Sequence, residues 1–429
     1  MTEQFLIKGL GGEKRLSGTI RVTGAKNAVL KSFAASLLFE DTLAISNVPE
    51  IEDVARVSEL LQALGASVEK KEHAYALNTS AVTKSDLDDA IARRLRASIV
   101  FTGPLLARFG KVSFPYPGGD IIGPRPIDLF LDGFTKMGAD VTFDGRYTIS
   151  TQGGLRGADI FFTSVTVTGT ETLMMAATLA KGKTVLKNAA MEPEIMELAN
   201  FLNSCGAQIH GVGTPTITIE GGGMLKADGK TLRTIPDRIE AGSFLILGAL
   251  AANELEIVDC NPAHIEMLIE LLRASGLSLQ VGEDSIKLSG NTEKFRLEAL
   301  QVRTHEYPGF ATDLQPPMTV YLTQAEGEST VFETIYLGRL NYTEDLVSMG
   351  ADIKMWNPQQ ITIKGPAPLS GRRLESPDIR AGLAFLLAAS IAKGDSVINT
   401  IYHIDRGYER IEERLSKIGL DITRRASSV

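Results

Sequence analysis

Cationic side chains at the mouths of apolar segments are the first sign of chemistry in this chain. In VTGAKNAVL, Lys26 and Asn27 open an apolar helix. A lysine and an amide beside a helix N-terminus suit an anion, because the unpaired N–H groups and the helix dipole favour negative charge there. An ordinary helix start is the alternative. In RRLRASIV, Arg96 enters an apolar run at the position matching Lys26, whereas Arg93 and Arg94 read as a solvated face. The stretch PGGDIIGPRPIDL, from Pro117 to Leu129, is a glycine- and proline-rich loop holding Asp120, Arg125 and Asp128. It is either a surface turn or a functional loop. In HEYPGFATDLQPP, Asp313 stands in a mostly uncharged stretch just before an apolar helix, where a carboxylate serves as an N-cap or a general base. In IYHIDRGYERIEERL, His403, Asp405, Arg406 and Tyr408 precede an amphipathic helix. Its Arg410, Glu412, Glu413 and Arg414 read as a solvated face, so Arg406 is the better ligand candidate. Arg238, Arg339 and Arg380 also begin or precede apolar segments, and Asp237, Asp378 and Asp405 each lie close to an arginine. These are surface ion pairs of little worth or a ring of charges facing a cleft.

The elements that must position these groups follow a repeat. An apolar helix end, a glycine and a short strand recur as LLQALGASV, FTKMGADV, FLNSCGAQI, LLRASGLSL, LVSMGADI and RLSKIGLDI. The glycines are Gly65, Gly138, Gly206, Gly276, Gly350 and Gly419, roughly 70 residues apart. Each suits the end of a helix, where a left-handed backbone favours a residue without Cβ. Between them lie helices of small apolar residues, such as FLILGALAANELEIVDC from Phe244 and FLLAASIAKGDSVINTI from Phe385. Helices apolar on nearly all sides belong at the centre of a repeat. Each unit is therefore predicted as strand, buried helix, strand, amphipathic helix and two strands, six times over, divided three and three. An ordinary doubly wound α/β protein is the alternative.

Composition narrows the function classes. The chain has 429 residues, 44% of them hydrophobic and 22% charged, which are values of an ordered protein of two or three domains. A net charge of −8 argues against nucleic acid or an anionic membrane as the main partner. The first residues form no apolar segment of signal-peptide type, and Cys205 and Cys260 are the two cysteines. A cytoplasmic enzyme with reduced thiols is expected, without a metal or other cofactor.

Over essentially its whole length the sequence resembles the enolpyruvyl transferases. The resemblance rests on TGAKNA at Thr23, LRAS at Leu95, GPRPIDL at Gly123, KNAAMEPEI at Lys187, IPDRIEAG at Ile235, FATDLQ at Phe310 and IYHIDRGYERIE at Ile401. The GSKS and GNAGT signatures of the branch acting on shikimate 3-phosphate are absent; the match is to the branch acting on UDP-N-acetylglucosamine. The resemblance implies an α/β fold: an inside-out α/β barrel of two three-repeat domains. These are residues 1–25 with 236–429, and residues 26–235 with the Asp120 loop; substrates bind between domains that close over them. It implies transfer of the enolpyruvyl group of phosphoenolpyruvate to the 3-hydroxyl of UDP-N-acetylglucosamine, with release of phosphate, as the first committed step of peptidoglycan synthesis. Lys26 and Asn27 would hold phosphoenolpyruvate and the tetrahedral intermediate. Arg96 and Arg125 would bind phosphate groups, Arg406 would close on the reactant, and Arg339 and Arg380 would meet its carboxylate. Asp313 would accept the sugar hydroxyl proton. Arg125, Pro126, Ile127, Asp128 and Leu129, with Thr166 and Val167, would cradle the uridine diphosphate, and Ile335 would lie against the nucleotide sugar.

Three positions depart from the family pattern. Asp120 replaces the usual cysteine that protonates the methylene carbon of phosphoenolpyruvate and that fosfomycin alkylates, which implies fosfomycin resistance. Phe130 stands where a histidine is often found, and Ser164 where a lysine often reaches the nucleotide phosphate. These two changes leave another nucleotide sugar as an alternative substrate, and a non-catalytic sensor of UDP-N-acetylglucosamine as an alternative of another class.

Overall fold

A computed structural model describes residues 3–119, 122–123, 125–289 and 297–427. Asp120 lies outside the described residues.

The predicted repeat is visible element by element. The fifth copy runs Gln301–Arg303, the helix Gln315–Leu322, Gly327–Phe332, the helix Thr343–Ser348, and the hairpin Asp352–Asn357 with Gln360–Gly365. Its first strand pairs in parallel with the strand after the buried helix, Val302 opposite Val331. That strand pairs antiparallel with the hairpin, Val331 opposite Ile361. Among the described residues there are six such sheets, five of four strands and one of three. The three-stranded sheet, Lys111–Phe114, Tyr147–Thr151 and Ala139–Phe143, flanks the Pro117–Leu129 loop in sequence. All six repeat glycines have φ between 89° and 111°. They end their helices in the left-handed region, where an L side chain is strained.

The chain divides into two compact units. One comprises Met1–Thr23, Asp120–Pro124 and Pro236–Val429; the other comprises Gly24–Gly119 and Arg125–Ile235. Each contains three of the sheets. The division does not follow sequence order. Glu3–Lys8 inserts antiparallel between Asp395–Asn399 and Asp421–Ala426, with Phe5 opposite both Ile398 and Arg424. Leu16–Arg21 pairs in parallel with Ala252–Val258, Ile20 opposite Ile257. The chain then crosses at Thr23–Gly24, and Thr231–Arg233 completes the sheet of Leu43–Ser46 before the chain returns at Ile235–Pro236.

Each unit packs around its inner helices. Arg238–Ala251 is buried from Ile239 onward, and Ile379–Ile391 is buried throughout. A side chain at Gly242 would lie 2.8 Å from Leu314, so only glycine lets these segments approach so closely. Outer helices bury one face: Glu266–Ala274 buries Leu268, Ile269 and Leu272. No helix among the described residues is long and apolar enough to cross a membrane.

Candidate functional site

In the unit containing Gly24–Gly119 and Arg125–Ile235, three inner helices begin with site candidates. Lys26 and Asn27 start the helix Lys26–Ala35. A Cβ at Gly24 would lie 1.8 Å from the Asn47 carbonyl oxygen, so this tight turn sets where the helix begins. Lys26 is buried, and its Nζ lies 2.8 Å from the equally buried Asp53 carboxylate. Arg96 begins the turn Arg96–Phe101 that leads into the helix Thr102–Phe109. Its guanidinium donates to the Pro117 and Arg125 carbonyls, tying the two ends of the loop between them. It also stacks over Tyr116, whose hydroxyl donates to the same Arg125 carbonyl at 3.3 Å. Thr166 caps the third helix, Val167–Thr178, accepting from the Gly169 N–H at 3.2 Å. The Arg96–Phe101 turn packs on both the Lys26–Ala35 and the Val167–Thr178 helices.

Arg125 is half-buried, Pro126 and Asp128 are exposed, and Ile127 and Phe130 are buried around the start of the helix Asp128–Lys136. Leu129 is half-buried and Ser164 is exposed.

In the other unit Arg339 and Arg380 converge on Asp313. Its carboxylate lies 2.9 Å from Arg339 and 2.9 Å from Arg380, and Arg380 Nε adds a hydrogen bond of 3.0 Å. Both arginine side chains are buried, at 3% and 6% exposure. Arg380 also donates to the Tyr408 hydroxyl at 2.7 Å, and Arg339 donates to the Thr312 hydroxyl at 3.0 Å. Thr312 in turn donates to Glu333 at 2.9 Å, and Glu333 accepts from the Ile335 and Tyr336 N–H groups at 2.8 and 3.1 Å. Ile335 is thus held by the same network. Burial alone would raise the Asp313 carboxyl, but the charges and hydrogen bonds of Arg380 and Arg339 hold it well below the usual carboxylate range. Burial pushes the Tyr408 phenol up to about 12, with Arg380 acting against it. Arg406 is buried at the end of the short helix Tyr402–Asp405.

Several sequence expectations change. Neither turn at Asp313 has a side-chain cap, so its carboxylate is not an N-cap. Asp237 and Asp378 are the caps: Asp237 accepts from Ile239 and Glu240, and Asp378 from Arg380 and Ala381. Asp405 pairs with Arg424 at 2.6 Å. Asp237 and Asp378 cap their helix starts while their charges also act on Arg380 and Arg339, and Asp405 makes an ion pair with Arg424. Arg414 and Glu412 are not solvated. Arg414 reaches inward to Glu240 at 2.5 Å, and Glu412 binds Arg424 at 2.6 Å.

Sequence reasoning passed over Lys31, Asp53 and Glu171. All three are charged and buried. Lys31 and Glu171 are charged residues within helices that are buried almost throughout, a signal only partly present in the sequence. Both cysteines are buried, and burial raises their thiols, that of Cys260 to about 11. Among the described residues no group of three or more His, Cys, Asp or Glu could hold a metal ion.

Residues 10–415 match the family model of EPSP synthase (3-phosphoshikimate 1-carboxyvinyltransferase). The UDP-N-acetylglucosamine 1-carboxyvinyltransferase of Koribacter versatilis is 41% identical over 426 residues, covering 98% of this chain and 96% of that protein. The enzyme of the same name from Desulforapulum autotrophicum is 40% identical over 96% of this chain and 98% of its own. Among solved structures, the enolpyruvyl transferase NikO from Streptomyces tendae superposes with a TM-score of 0.87 at 23% identity, over 100% of both chains. EPSP synthase from Acinetobacter baumannii does so with a TM-score of 0.74 at 18% identity, over 99% of this chain and 100% of its own.

Proposed function

The chain belongs to the EPSP synthase family of enolpyruvyl transferases, and from that membership we propose that it transfers the enolpyruvyl group of phosphoenolpyruvate to the 3-hydroxyl of UDP-N-acetylglucosamine. Phosphate is released, and the product feeds cytoplasmic peptidoglycan synthesis. The relatives' shared name supports the choice of acceptor. The observation that carries the chemistry is the buried arginine pair, Arg339 and Arg380, which already grips a carboxylate, that of Asp313. Two buried guanidiniums on one carboxylate are a receptor suited to the carboxylate of phosphoenolpyruvate.

Lys26, Arg125 and Arg406 supply positive charge for the phosphoenolpyruvate phosphate and the tetrahedral intermediate, and Asn27 a neutral hydrogen-bonding amide. Such preorganised groups stabilise developing charge best where water is excluded. Thr166, Val167 and the Arg125–Leu129 segment hold the uridine diphosphate, and Ile335 lies against the sugar. Arg96 contributes by fixing the ends of the loop that carries Asp120. The sugar oxygen attacks C2 of phosphoenolpyruvate, passing its proton to Asp313, while C3 takes a proton from Asp120. A C3 proton then returns to Asp120, the double bond is restored as the C2–O bond to phosphate breaks, and the proton held on Asp313 leaves with the phosphate.

Asp313 is a weak base while it is bound to both arginines. When the phosphoenolpyruvate carboxylate takes those arginines, Asp313 loses the charges that depress it, and its basicity rises as the substrate arrives. Asp120 in place of cysteine offers no thiolate to an epoxide, so the enzyme resists fosfomycin.

Phosphate release that requires both substrates tests the reading; a pure preparation that releases none refutes it. Phe130 and Ser164 put no charge beside the nucleotide, which favours a second reading, an acceptor with a different nucleotide sugar. A panel of nucleotide sugars separates the two by relative kcat/KM.

A further inference from the structure

Two buried charges stand apart from the groups assigned to substrates. Lys31 lies five residues after Lys26 on the same helix and is 7% exposed; Glu171, on the helix capped by Thr166, is fully buried. Lys31 Nζ lies 3.2 Å from the Glu171 carboxylate. The same ammonium turns back to donate to the Asn27 carbonyl at 2.6 Å, in the first turn of its own helix. One side chain thus braces the turn carrying Lys26 and Asn27 and ties it to the helix beginning at Thr166 and Val167. Next to Glu171, the Thr170 hydroxyl accepts from the Ala190 N–H at 3.1 Å, holding the segment that leads to Glu192 and Glu194.

Stability gives no reason for this arrangement. Taking an ammonium and a carboxylate out of water costs several kcal/mol each, and apolar replacements of similar size are often as stable or more so. Burial raises the Glu171 carboxyl to about 7; the Lys31 charge and hydrogen bond act against it, and Glu194 and Glu192 reinforce it. The placement of the pair does suggest a reason, because it joins the two helix starts assigned to the two substrates.

We infer that Lys31 and Glu171 are positioning residues, which hold the helix start bearing Lys26 and Asn27 and the helix start bearing Thr166 and Val167 in one fixed relation. Phosphoenolpyruvate and the nucleotide sugar thereby meet in register, and small displacements at such distances are costly to rate. The inference rests on the proposed function.

The test compares wild type with Lys31→Met/Glu171→Met, Lys31→Arg and Glu171→Gln in the two-substrate phosphate-release assay, with thermal melting of each. The double variant leaves neither charge unpaired. It is expected to melt at or above the wild type yet to lose at least tenfold in kcat. Lys31→Arg keeps a donor and a charge, and recovers most of that loss. In wild type, kcat/KM for phosphoenolpyruvate falls as pH drops below about 7, because protonating Glu171 releases Lys31. Glu171→Gln is low throughout and falls less steeply across that limb, where only the substrate phosphate and other groups still titrate. A wild type without activity sinks the proposed function. An active wild type matched in kcat and KM by the double variant overturns this inference alone. So does a double variant that melts far below wild type, since the pair is then a stability element.

Discussion

Removing the Asp313 carboxylate should tighten the binding of phosphoenolpyruvate while sharply lowering turnover. Asp313 makes three charge-assisted contacts of 2.9, 2.9 and 3.0 Å to Arg339 and Arg380. A substrate carboxylate must displace them to reach those arginines. A hydrogen bond to a charged group contributes about 1.5–3 kcal/mol net. Relief from the competition, allowing for the remaining contacts of the arginines, amounts to about that for one such bond. Asp313→Ala should therefore bind phosphoenolpyruvate about 10–100-fold more tightly. Its kcat should fall by about 100-fold or more, the usual worth of a general base. The free variant carries two buried guanidiniums without their carboxylate, at a cost of about 3–5 kcal/mol. Phosphoenolpyruvate should raise its melting temperature more than that of wild type. The Asp313 pKa lies below its ordinary value. The stability it contributes is therefore fully present above that value and lost as pH falls through the depressed one. The stability gap between variant and wild type should thus be constant from pH 5 to 8, as about 4 is the ordinary aspartate value, and should close only in strong acid. Calorimetric titration at pH 7.5, a pH of about neutral chosen so that both carboxylates are ionised, measures the affinity. Equal or weaker binding by Asp313→Ala refutes the reasoning that the two carboxylates share one pair of arginines.

Three further outcomes follow from the same contacts. Glu171 has a folded pKa of about 7 against an ordinary 4.5, so the folded state holds its proton longer and wild type loses stability as pH rises through that window. The stability of Glu171→Gln relative to wild type should therefore shift in the variant's favour by up to about 3 kcal/mol between pH 4.5 and a pH above 7, which denaturant midpoints at the two pH values would read. Asp378→Ala removes the cap on the Arg380 and Ala381 N–H groups, made at 2.8 and 3.0 Å. It should cost about 1 kcal/mol in a denaturant melt, and by loosening Arg380 should raise KM for phosphoenolpyruvate more than for the nucleotide sugar. Asp120→Cys should make a fosfomycin-insensitive enzyme lose activity progressively with time on exposure to the epoxide; an insensitive variant would mean that the loop does not present that side chain to the reacting centre.

The repeat and its elements were legible in the chain because their causes are local. A glycine after an apolar helix end marks a left-handed residue wherever the helix packs, and all six such glycines have that conformation. Beyond Arg380 in its first turn, the helix Ile379–Ile391 is almost entirely apolar and has no polar face to turn toward water, so it had to lie inside. The motifs likewise marked Lys26, Asp313 and Arg406 as unusual, since charge at an apolar helix mouth needs a reason. What each charge touches was not legible. Asp313 meets arginines 26 and 67 residues away, Lys31 meets a glutamate 140 residues away, and Arg414 reaches back 174 residues to Glu240. Such pairs depend on where separate helices end after packing. No spacing along the chain encodes that distance. For the same reason Asp237 and Asp378, which in sequence resemble partners of neighbouring arginines, proved to be helix caps. The residue types determined that buried charge would exist in this protein, and tertiary packing decided which of those charges meet one another.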